Sequence, residues 1–231
     1  MMRLNKKLVE IGYCSRRHAD DLIKAGRILV NDKVAKLGEQ VGDSDEIKID
    51  GNNISLDNEK ILIAYNKPKG VVCTESVIEK SEKISDKIKE FGFGKRLFTI
   101  GRLDKDTTGL IFITNDGELA KEVTNTHKNY EKEYEVRVNT PINSEFINKM
   151  TNGVFLSELN KKTKPCKIQR FGQEEYRFSI TITQGLNRQI RRMCRELGYR
   201  VVDLKRIRVI NYRLGKLKTG DFKIIKKNEL F

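Results

Sequence analysis

Two short runs of apolar residues constrain the fold of this chain more than any other feature of its sequence. They cover residues 61–65 and 110–114, and glycine, asparagine, aspartate or charged residues follow each run. Such runs are too short for a typical helix of about 11–12 residues but suit buried strands. Alternating apolar residues predict further strands at 134–138 and 176–182. We therefore expect a sheet at the centre of the fold.

Helical patterns separate these strands without a regular strand–helix–strand repeat. Apolar residues lie at i, i+3, i+4 and i+7 within 187–197, which predicts an amphipathic helix. Shorter helices are expected around 84–88 and 118–123, and after Asn143, which suits a helix N-cap. Residues 71–74 are expected to return as a strand after a turn. The fold class that follows is α+β rather than a doubly wound sheet.

The N-terminal residues predict a compact unit of two short helices followed by a small sheet. Ser15 suits the N-cap of the second helix, and Gly26 suits its C-terminal cap. Residues 56–60 have the polar composition of a short linker. We therefore expect two domains, 1–58 and 59–231.

The positive charge of the chain is concentrated in two regions. The formal net charge is +14, and residues 161–231 contain 20 Lys and Arg against six Asp and Glu. Residues 1–36 contain nine against four, and the acidic stretch 37–58 separates the two regions. This distribution favours a nucleic acid that contacts both ends of the molecule over a basic surface that only maintains solubility.

Several classes of protein are not expected from this sequence. No window of about 18 consecutive apolar residues is present, which argues against a transmembrane helix. Residues 1–7 lack the apolar stretch of a secretory signal. The four cysteines form no C-x-x-C pair, so we expect reduced thiols in a cytoplasmic protein. Two histidines give little basis for a zinc cluster.

The tight segment 101–109 places charged residues between two predicted strands. Arg102 precedes Asp104 by two residues, and a carboxylate beside a guanidinium can act as a nucleophile or stabilise a cation. On spacing alone, an aspartate that makes local turn hydrogen bonds is the more common arrangement. A calcium loop is not expected, because its twelfth position would be Asn115 instead of glutamate.

The predicted helix at 187–197 carries four arginines opposite its apolar stripe. Guanidiniums grouped in this way favour phosphates, because the planar fork matches two oxygens. The alternative is a solvated face balanced by nearby carboxylates. The four residues are Arg188, Arg191, Arg192 and Arg195. Two weaker signals are Tyr134, which on its own suits a protein core, and a lysine-containing turn that begins at Lys67.

Taken together, the motifs resemble a known family. Residues 2–50 resemble the S4 RNA-binding domain, through Tyr13-Cys14-Ser15-Arg16-Arg17 and Gly26-Arg27-Ile28. Residues 61–231 resemble the catalytic domain of the bacterial ribosomal pseudouridine synthases of the RsuA family. The most specific motif is Gly101-Arg102-Leu103-Asp104 followed by Thr108-Gly109-Leu110. Residues 184–194 are most similar to the F-type large-subunit (23S) rRNA subgroup.

The resemblance implies a fold, a reaction and a set of site residues. The expected catalytic fold is a mixed, mostly antiparallel sheet flanked by helices, and the reaction converts uridine in RNA to pseudouridine without cofactor or metal. Asp104 matches the catalytic carboxylate, Tyr134 the residue that stacks on the flipped base, and Arg191 the arginine that pairs with Asp104. Leu204 matches an apolar pocket contact, and Arg102 and Lys67 match further family positions.

RNA contacts are expected from both parts of the chain. In the catalytic part they are Lys67, Leu204, Arg188, Arg192 and Arg195. In the S4-like part they are Arg3, Lys6, Lys7, Arg16, Arg17 and Arg27.

The expected partner is a stem-loop of 23S rRNA or a ribosomal assembly intermediate, bound by a monomer. Small-subunit rRNA and tRNA are alternative targets. A non-catalytic rRNA-binding or assembly factor would explain the S4-like part and the basic charge equally well. It would not need the set Arg102, Asp104, Tyr134 and Arg191, and the enzyme is therefore favoured.

Overall fold

The computed structural model describes residues 1–54, 59–74, 81–172 and 174–231. Its N-terminal part packs two helices against short strands, as the sequence predicts. Its elements are β1 (Met2–Arg3), α1 (Leu4–Glu10), α2 (Arg16–Lys24), β2 (Ile28–Val30), β3 (Lys33–Val34), β4 (Gln40–Val41), β5 (Ile47–Ile49) and β6 (Asn52–Asn53).

Local sequence chemistry sets the ends of these elements. The Ser15 hydroxyl accepts a hydrogen bond from the His18 amide and caps α2, which confirms that prediction. Asn31 and Asp32 both have positive φ, the geometry of a tight hairpin turn between β2 and β3. Leu8 and Ala19 are fully buried where the helices meet the strands.

The rest of the chain alternates strands and helices irregularly. Its elements are β7 (Leu62–Lys67), α3 (Ile84–Glu90), β8 (Phe98–Ile100), β9 (Thr108–Thr114), α4 (Gly117–Thr124), β10 (Lys132–Val138), α5 (Ser144–Thr151), β11 (Phe155–Leu156), β12 (Lys161–Lys162), β13 (Lys167–Arg170), β14 (Arg177–Ile182), α6 (Gln189–Glu196), β15 (Val201–Val209), β16 (Tyr212–Arg213) and β17 (Phe222–Ile224).

Within the described residues, nine of these strands form one mixed sheet. The order is β13-β14-β10-β15-β9-β7-β17, with β16 on β15 and β8 on β9. Strands β9 and β15 run parallel, and the other pairings that build this sheet are antiparallel. This confirms the expected α+β class with a mixed, mostly antiparallel sheet.

Hydrophobic cores cover both faces of this sheet. Along β7, Ile63 and Tyr65 join one core, whereas Leu62 and Ala64 join the other. The first core also contains the buried faces of α3, α5 and α6, and the second contains that of α4. Burial on both faces explains why β7 has a continuous apolar run instead of an alternating pattern.

The predicted return strand at residues 71–74 is wrong. Val72 makes a single isolated bridge to Lys83, and no ladder continues from it. The reason is that β7 already has β9 on one edge and β17 on the other. A hairpin partner therefore has no free edge to occupy.

The N-terminal part has its own hydrophobic core, formed by residues between Leu4 and Ile49. Polar contacts join it to the rest of the chain: the Arg96 amide donates to the Gly12 carbonyl at 2.9 Å, and Lys60 pairs with Glu10 at 3.2 Å. The domain boundary near residue 58 stays a prediction, because residues 55–58 lie outside the described part.

A close approach of two backbones joins β9 to β15. Gly109 lies opposite Arg206 in the parallel pair and has a φ of +100°. A β-carbon at this position would lie 2.2 Å from the Arg206 carbonyl oxygen. Glycine is therefore required here on two counts, conformation and space.

We expect Gly109→Ala to destabilise the protein by about 2–5 kcal/mol, because backbone strain adds to overpacking. Gly117→Ala is the matched control, since Gly117 lies in the first turn of α4 and a β-carbon there would meet no atom within 4 Å. It should leave stability unchanged or raise it by up to about 1 kcal/mol. Urea unfolding measures both variants. Equal unfolding midpoints would contradict the assignment.

Candidate active site

An open cleft of about 490 Å³ lies between the loop before β9 and the central strands β10 and β15. The segment before α6 and residues 123–126 complete its walls. Charged, aromatic and apolar side chains line the cleft, among them Arg102, Asp104, Lys132, Tyr134, Arg188, Leu204 and Arg206. The fold thus brings together residues that lie up to 104 positions apart in the sequence.

The loop before β9 presents Asp104 to the cleft. Leu103 is buried in the core, and the Thr107 amide donates to the Asp104 carbonyl at 3.0 Å, which fixes the turn from both sides. The Asp104 side chain is 31% exposed, and its Oδ2 lies 3.9 Å from a guanidinium nitrogen of Arg188. Asp104 is therefore an accessible carboxylate with a cation beside it.

The Arg191 side chain holds this loop by binding one of the loop's backbone carbonyls. Its guanidinium donates to the Asp106 carbonyl at 3.0 Å and approaches the Val201 carbonyl at 3.5 Å. Burial lowers the pKa of Arg191 and the neighbouring Arg188 lowers it further, whereas Asp106 and Asp104 oppose this change. The implied ion pair between Arg191 and Asp104 is not a direct contact here. Arg191 connects α6 and β15 to the Asp104 loop.

Tyr134 and Leu204 belong to the apolar lining of the cleft. Tyr134 lies opposite Arg206 in the β10–β15 pairing, and Leu204 lies opposite Val136. Directly opposed residues share a face of a sheet, so Tyr134 and Leu204 lie on the same face. Tyr134 is 8% exposed and belongs to the core, but it also lines the cleft. This arrangement can hold a planar ring against the tyrosine.

Comparisons with known proteins decide the family. A family model described as RNA pseudouridylate synthase matches residues 61–196, and a model of the S4 domain matches residues 2–47. The chain belongs to the RNA pseudouridylate synthase family. This agrees with the resemblance inferred from the motifs, and the protein is a pseudouridine synthase with an S4 domain.

Individual relatives match nearly the whole chain. It is 43% identical to the Dual-specificity RNA pseudouridine synthase RluF of Escherichia coli over 99% of this chain and 77% of that protein. It is 34% identical to the Ribosomal large subunit pseudouridine synthase B of Bacillus subtilis, over 100% and 94%. A crystal structure of a pseudouridylate synthase superposes with a TM-score of 0.71 at 27% identity, covering 100% of this chain and 98% of that one.

Lys67, which we expected to contact substrate, is not among the residues that line the cleft. Its side chain is fully buried at the end of β7. The ammonium donates to the carbonyls of Pro68 and Val71 at 2.9 and 2.8 Å and approaches the Lys105 carbonyl at 3.5 Å. Burial lowers the pKa of Lys67, and Asp104 and Asp106 are among the groups that oppose this change. Lys67 thus links the turn after β7 to the Asp104 loop through backbone carbonyls of both segments.

The arginine face of α6 is only partly available to RNA. Arg188 precedes the helix, with a φ of +50°, and is the one of the four that lines the cleft. Arg192 and Arg195 both form ion pairs with Glu158. Their role in substrate binding stays a prediction, and the structure shows that a carboxylate from a distant segment balances their charge.

The basic residues of the S4 domain also divide into two groups. Lys7 is buried and pairs with Asp43, and Arg27 pairs with Asp50. Lys6 is partly exposed and pairs with Glu118 of the catalytic part. Of the six residues expected to contact RNA, three are exposed and have no ion pair within the described residues: Arg3, Arg16 and Arg17.

Sequence reasoning missed two cations of the cleft, Lys132 and Arg206. The signal was available in the spacing, because Lys132 lies two residues before Tyr134 and Arg206 two residues after Leu204. Residues two apart on a strand share a face. Among the described residues, no group of three or more His, Cys, Asp or Glu side chains could hold a metal ion. The same residues include no helix long and apolar enough to cross a membrane.

Cys73 offers a chemical probe of the cleft. It lines the cleft and is partly exposed, whereas Cys14, Cys166 and Cys194 are buried. Burial raises the pKa of Cys73, although the Leu103 amide and Lys67 oppose this change. Burial also raises the pKa of Cys166 to about 11 and that of Cys194 to about 12.

We expect iodoacetamide to alkylate Cys73 first in the folded protein, with a rate that rises as the pH increases towards 9 and beyond. The sign follows from the raised pKa, because the thiolate is the reactive form and is scarce at neutral pH. Peptide mass spectrometry locates the label, and RNA that fills the cleft should slow the reaction. Cys73→Ser is the control. Earlier labelling of a buried cysteine would contradict the assignment.

Proposed function

We propose that this chain isomerises a uridine of 23S rRNA to pseudouridine and that the Asp104 carboxylate is the reacting group. The observation that carries the proposal is the position of Asp104. It is the carboxylate that lines the cleft within the described residues, and the cleft also holds a tyrosine ring and several cations. The large-subunit target is supported by the resemblance of residues 184–194 and by the relative named for that subunit.

The chemistry requires a carboxylate close to the sugar. The N1–C1′ bond breaks, the base turns, and a C5–C1′ bond forms. The C5 hydrogen leaves as a proton, and N1 takes up a proton. Glycosidic cleavage develops positive charge on the sugar, which an adjacent carboxylate stabilises. Asp104 can serve by attacking C1′, by attacking C6 or by removing a sugar proton, and all three routes use its exposed oxygens.

The base must leave the RNA stack before it can turn. Flipping costs a few kcal/mol, and a loop uridine costs less than a paired one. Tyr134 presents a ring on which the flipped base stacks, and Leu204 lies beside it on the same face of the sheet. Contacts between phosphates and the basic surface offset the remaining cost.

The charge distribution of the S4 domain indicates an anionic partner. Arg16 and Arg17 occupy the first turn of α2, and this turn contains no acidic residue. The positive end of the helix dipole disfavours cations there by about 0.3–1 kcal/mol each. Both side chains point into solvent without an ion pair in the described residues. A phosphate chain is the partner that removes this repulsion.

The first test measures tritium release from rRNA labelled at C5 of uridine. Asp104→Asn should fold and bind RNA normally but lose release by at least about 10³-fold, because a neutral amide cannot replace the carboxylate. Asp106→Asn is the matched control, since its side chain is exposed in the same loop and only its carbonyl contacts Arg191. Primer extension after carbodiimide treatment locates the product in 23S rRNA, small-subunit rRNA or tRNA.

Normal turnover by Asp104→Asn would reject the assigned carboxylate. If neither wild type nor variant released tritium from naked rRNA or ribosomal particles, a non-catalytic rRNA-binding factor would be the better description.

The second test concerns the S4 domain. The double substitution Arg16→Gln, Arg17→Gln should weaken RNA binding and reduce the slope of log K against log salt by about 1.4–1.8, which corresponds to two lost phosphate contacts. Arg27→Gln is the matched control, because Asp50 already binds its guanidinium. Filter binding between 50 and 200 mM salt measures both. An unchanged slope for the double variant would exclude these contacts.

A further inference from the structure

Two cations lie together in the cleft without a carboxylate partner. Arg206 is 5% exposed, and Lys132 is partly buried beside it. No ion pair joins either residue to an Asp or Glu within the described residues. Burial lowers the pKa of Lys132, and repulsion by Arg206 lowers it further. Two buried positive charges side by side destabilise the folded protein unless an anion binds next to them.

Arg208, another largely buried cation on β15, is compensated by carboxylates. It binds both Glu131 and Glu133 at 2.8–2.9 Å. Arg206, in contrast, uses its Nε to donate to the Leu110 carbonyl at 2.7 Å, and Lys132 donates to the Tyr130 carbonyl at 3.3 Å. Each cation is therefore held in place by a neutral acceptor while its charge stays uncompensated.

The position of the pair is fixed relative to the proposed base site. Arg206 lies directly opposite Tyr134 across the β10–β15 ladder, and Lys132 lies two residues before Tyr134 on β10. All three line the cleft, and Asp104 lines it as well. A ring stacked on Tyr134 would therefore share the cleft with both cations and with Asp104.

We infer that Lys132 and Arg206 bind the uracil ring through its carbonyl oxygens and stabilise the anion that it becomes when it leaves the sugar. The inference rests on the proposed function. When the N1–C1′ bond breaks, its electron pair stays on N1 and spreads to O2 and O4. C1′ then bonds to Asp104, or C2′ gives a proton to Asp104. When C5 bonds to C1′, the Asp104–C1′ bond breaks or the proton returns to C2′. C5 then loses its hydrogen as a proton, and N1 takes up a proton.

Burial favours the uracil ring over a phosphate as the anion. A phosphodiester continues into the RNA strand on both sides and needs more room than Arg206 offers, because this residue is only 5% exposed. Exposed cations suited to phosphates lie nearer the surface, at Arg102 and Arg188. Fixed cations at a site of developing negative charge contribute through electrostatic preorganisation.

The test separates chemistry from binding. Lys132→Met should lower the single-turnover rate at saturating enzyme by about 10²-fold, the usual effect of removing one such donor. The salt slope should not change, and RNA affinity should fall far less than the rate, because the interaction strengthens when the ring becomes an anion. Lys132→Arg retains a cation and should recover most of the rate. Lys121→Met is the matched control, because Lys121 is exposed on α4 and does not line the cleft.

Arg206→Lys adds a second variant that keeps the charge but loses the bond to Leu110, and thermal unfolding shows whether it folds. Binding of 5-nitrouracil, which is an anion at neutral pH, provides a readout that does not need turnover. Wild type should bind it more tightly than neutral uracil, and Lys132→Met should lose this preference.

Two results would overturn the inference. One is a lower salt slope with an unchanged single-turnover rate, which would make Lys132 a phosphate contact. The other is a wild-type protein that does not distinguish 5-nitrouracil from uracil. Absence of tritium release from wild type would instead reject the proposed function, because the 5-nitrouracil preference is measured independently.

Discussion

The parallel pairing of β9 with β15 is the contact on which the site depends. Gly109 lets the backbone at Arg206 approach closely, and Arg206 in turn donates to the Leu110 carbonyl. The pairing places the Asp104 loop, which immediately precedes β9, beside the strand that carries Leu204. Lys67 and Arg191 then fasten that loop by its carbonyls. The proposed catalytic carboxylate thus lies on a loop whose backbone is held by two side chains from other parts of the chain.

Much of this architecture is visible in the sequence because it rests on local patterns. Burial on both faces gives β7 and β9 their apolar runs, and side-chain caps mark the starts of α2 and α5. The motif around Asp104 predicts a polar turn at a strand end, and the structure places that turn at the cleft. The predicted return strand at 71–74 does not form, because both edges of β7 are already paired. Which edges of a sheet are free depends on the whole sheet, and a local sequence pattern does not show it.

The candidate site shows the same division between local and distant information. A side chain's type and spacing predict its chemistry, but its partner often lies elsewhere in the chain. Glu158 neutralises Arg192 and Arg195 from more than 30 residues away, and Asp43 pairs with the buried Lys7 in the same manner. Charge counts therefore overestimate the surface open to RNA. In the part of the chain that the structure describes, cations without a carboxylate partner, such as Arg16, Arg17, Lys132 and Arg206, are a better guide to where an anion binds.

The long sequence separation across the central sheet also bears on the order of folding. Phe222 pairs with Tyr65 and Arg206 with Gly109, whereas the pairs of the S4 domain's small sheet span about 20 residues or fewer. Contacts between distant residues form slowly, because a long loop must close before they contribute. During synthesis the strands of the S4 domain can pair as soon as the N-terminal residues have emerged, but the cleft cannot form until β15 has been made. The S4 domain can thus fold on the ribosome before the strands that line the cleft have come together.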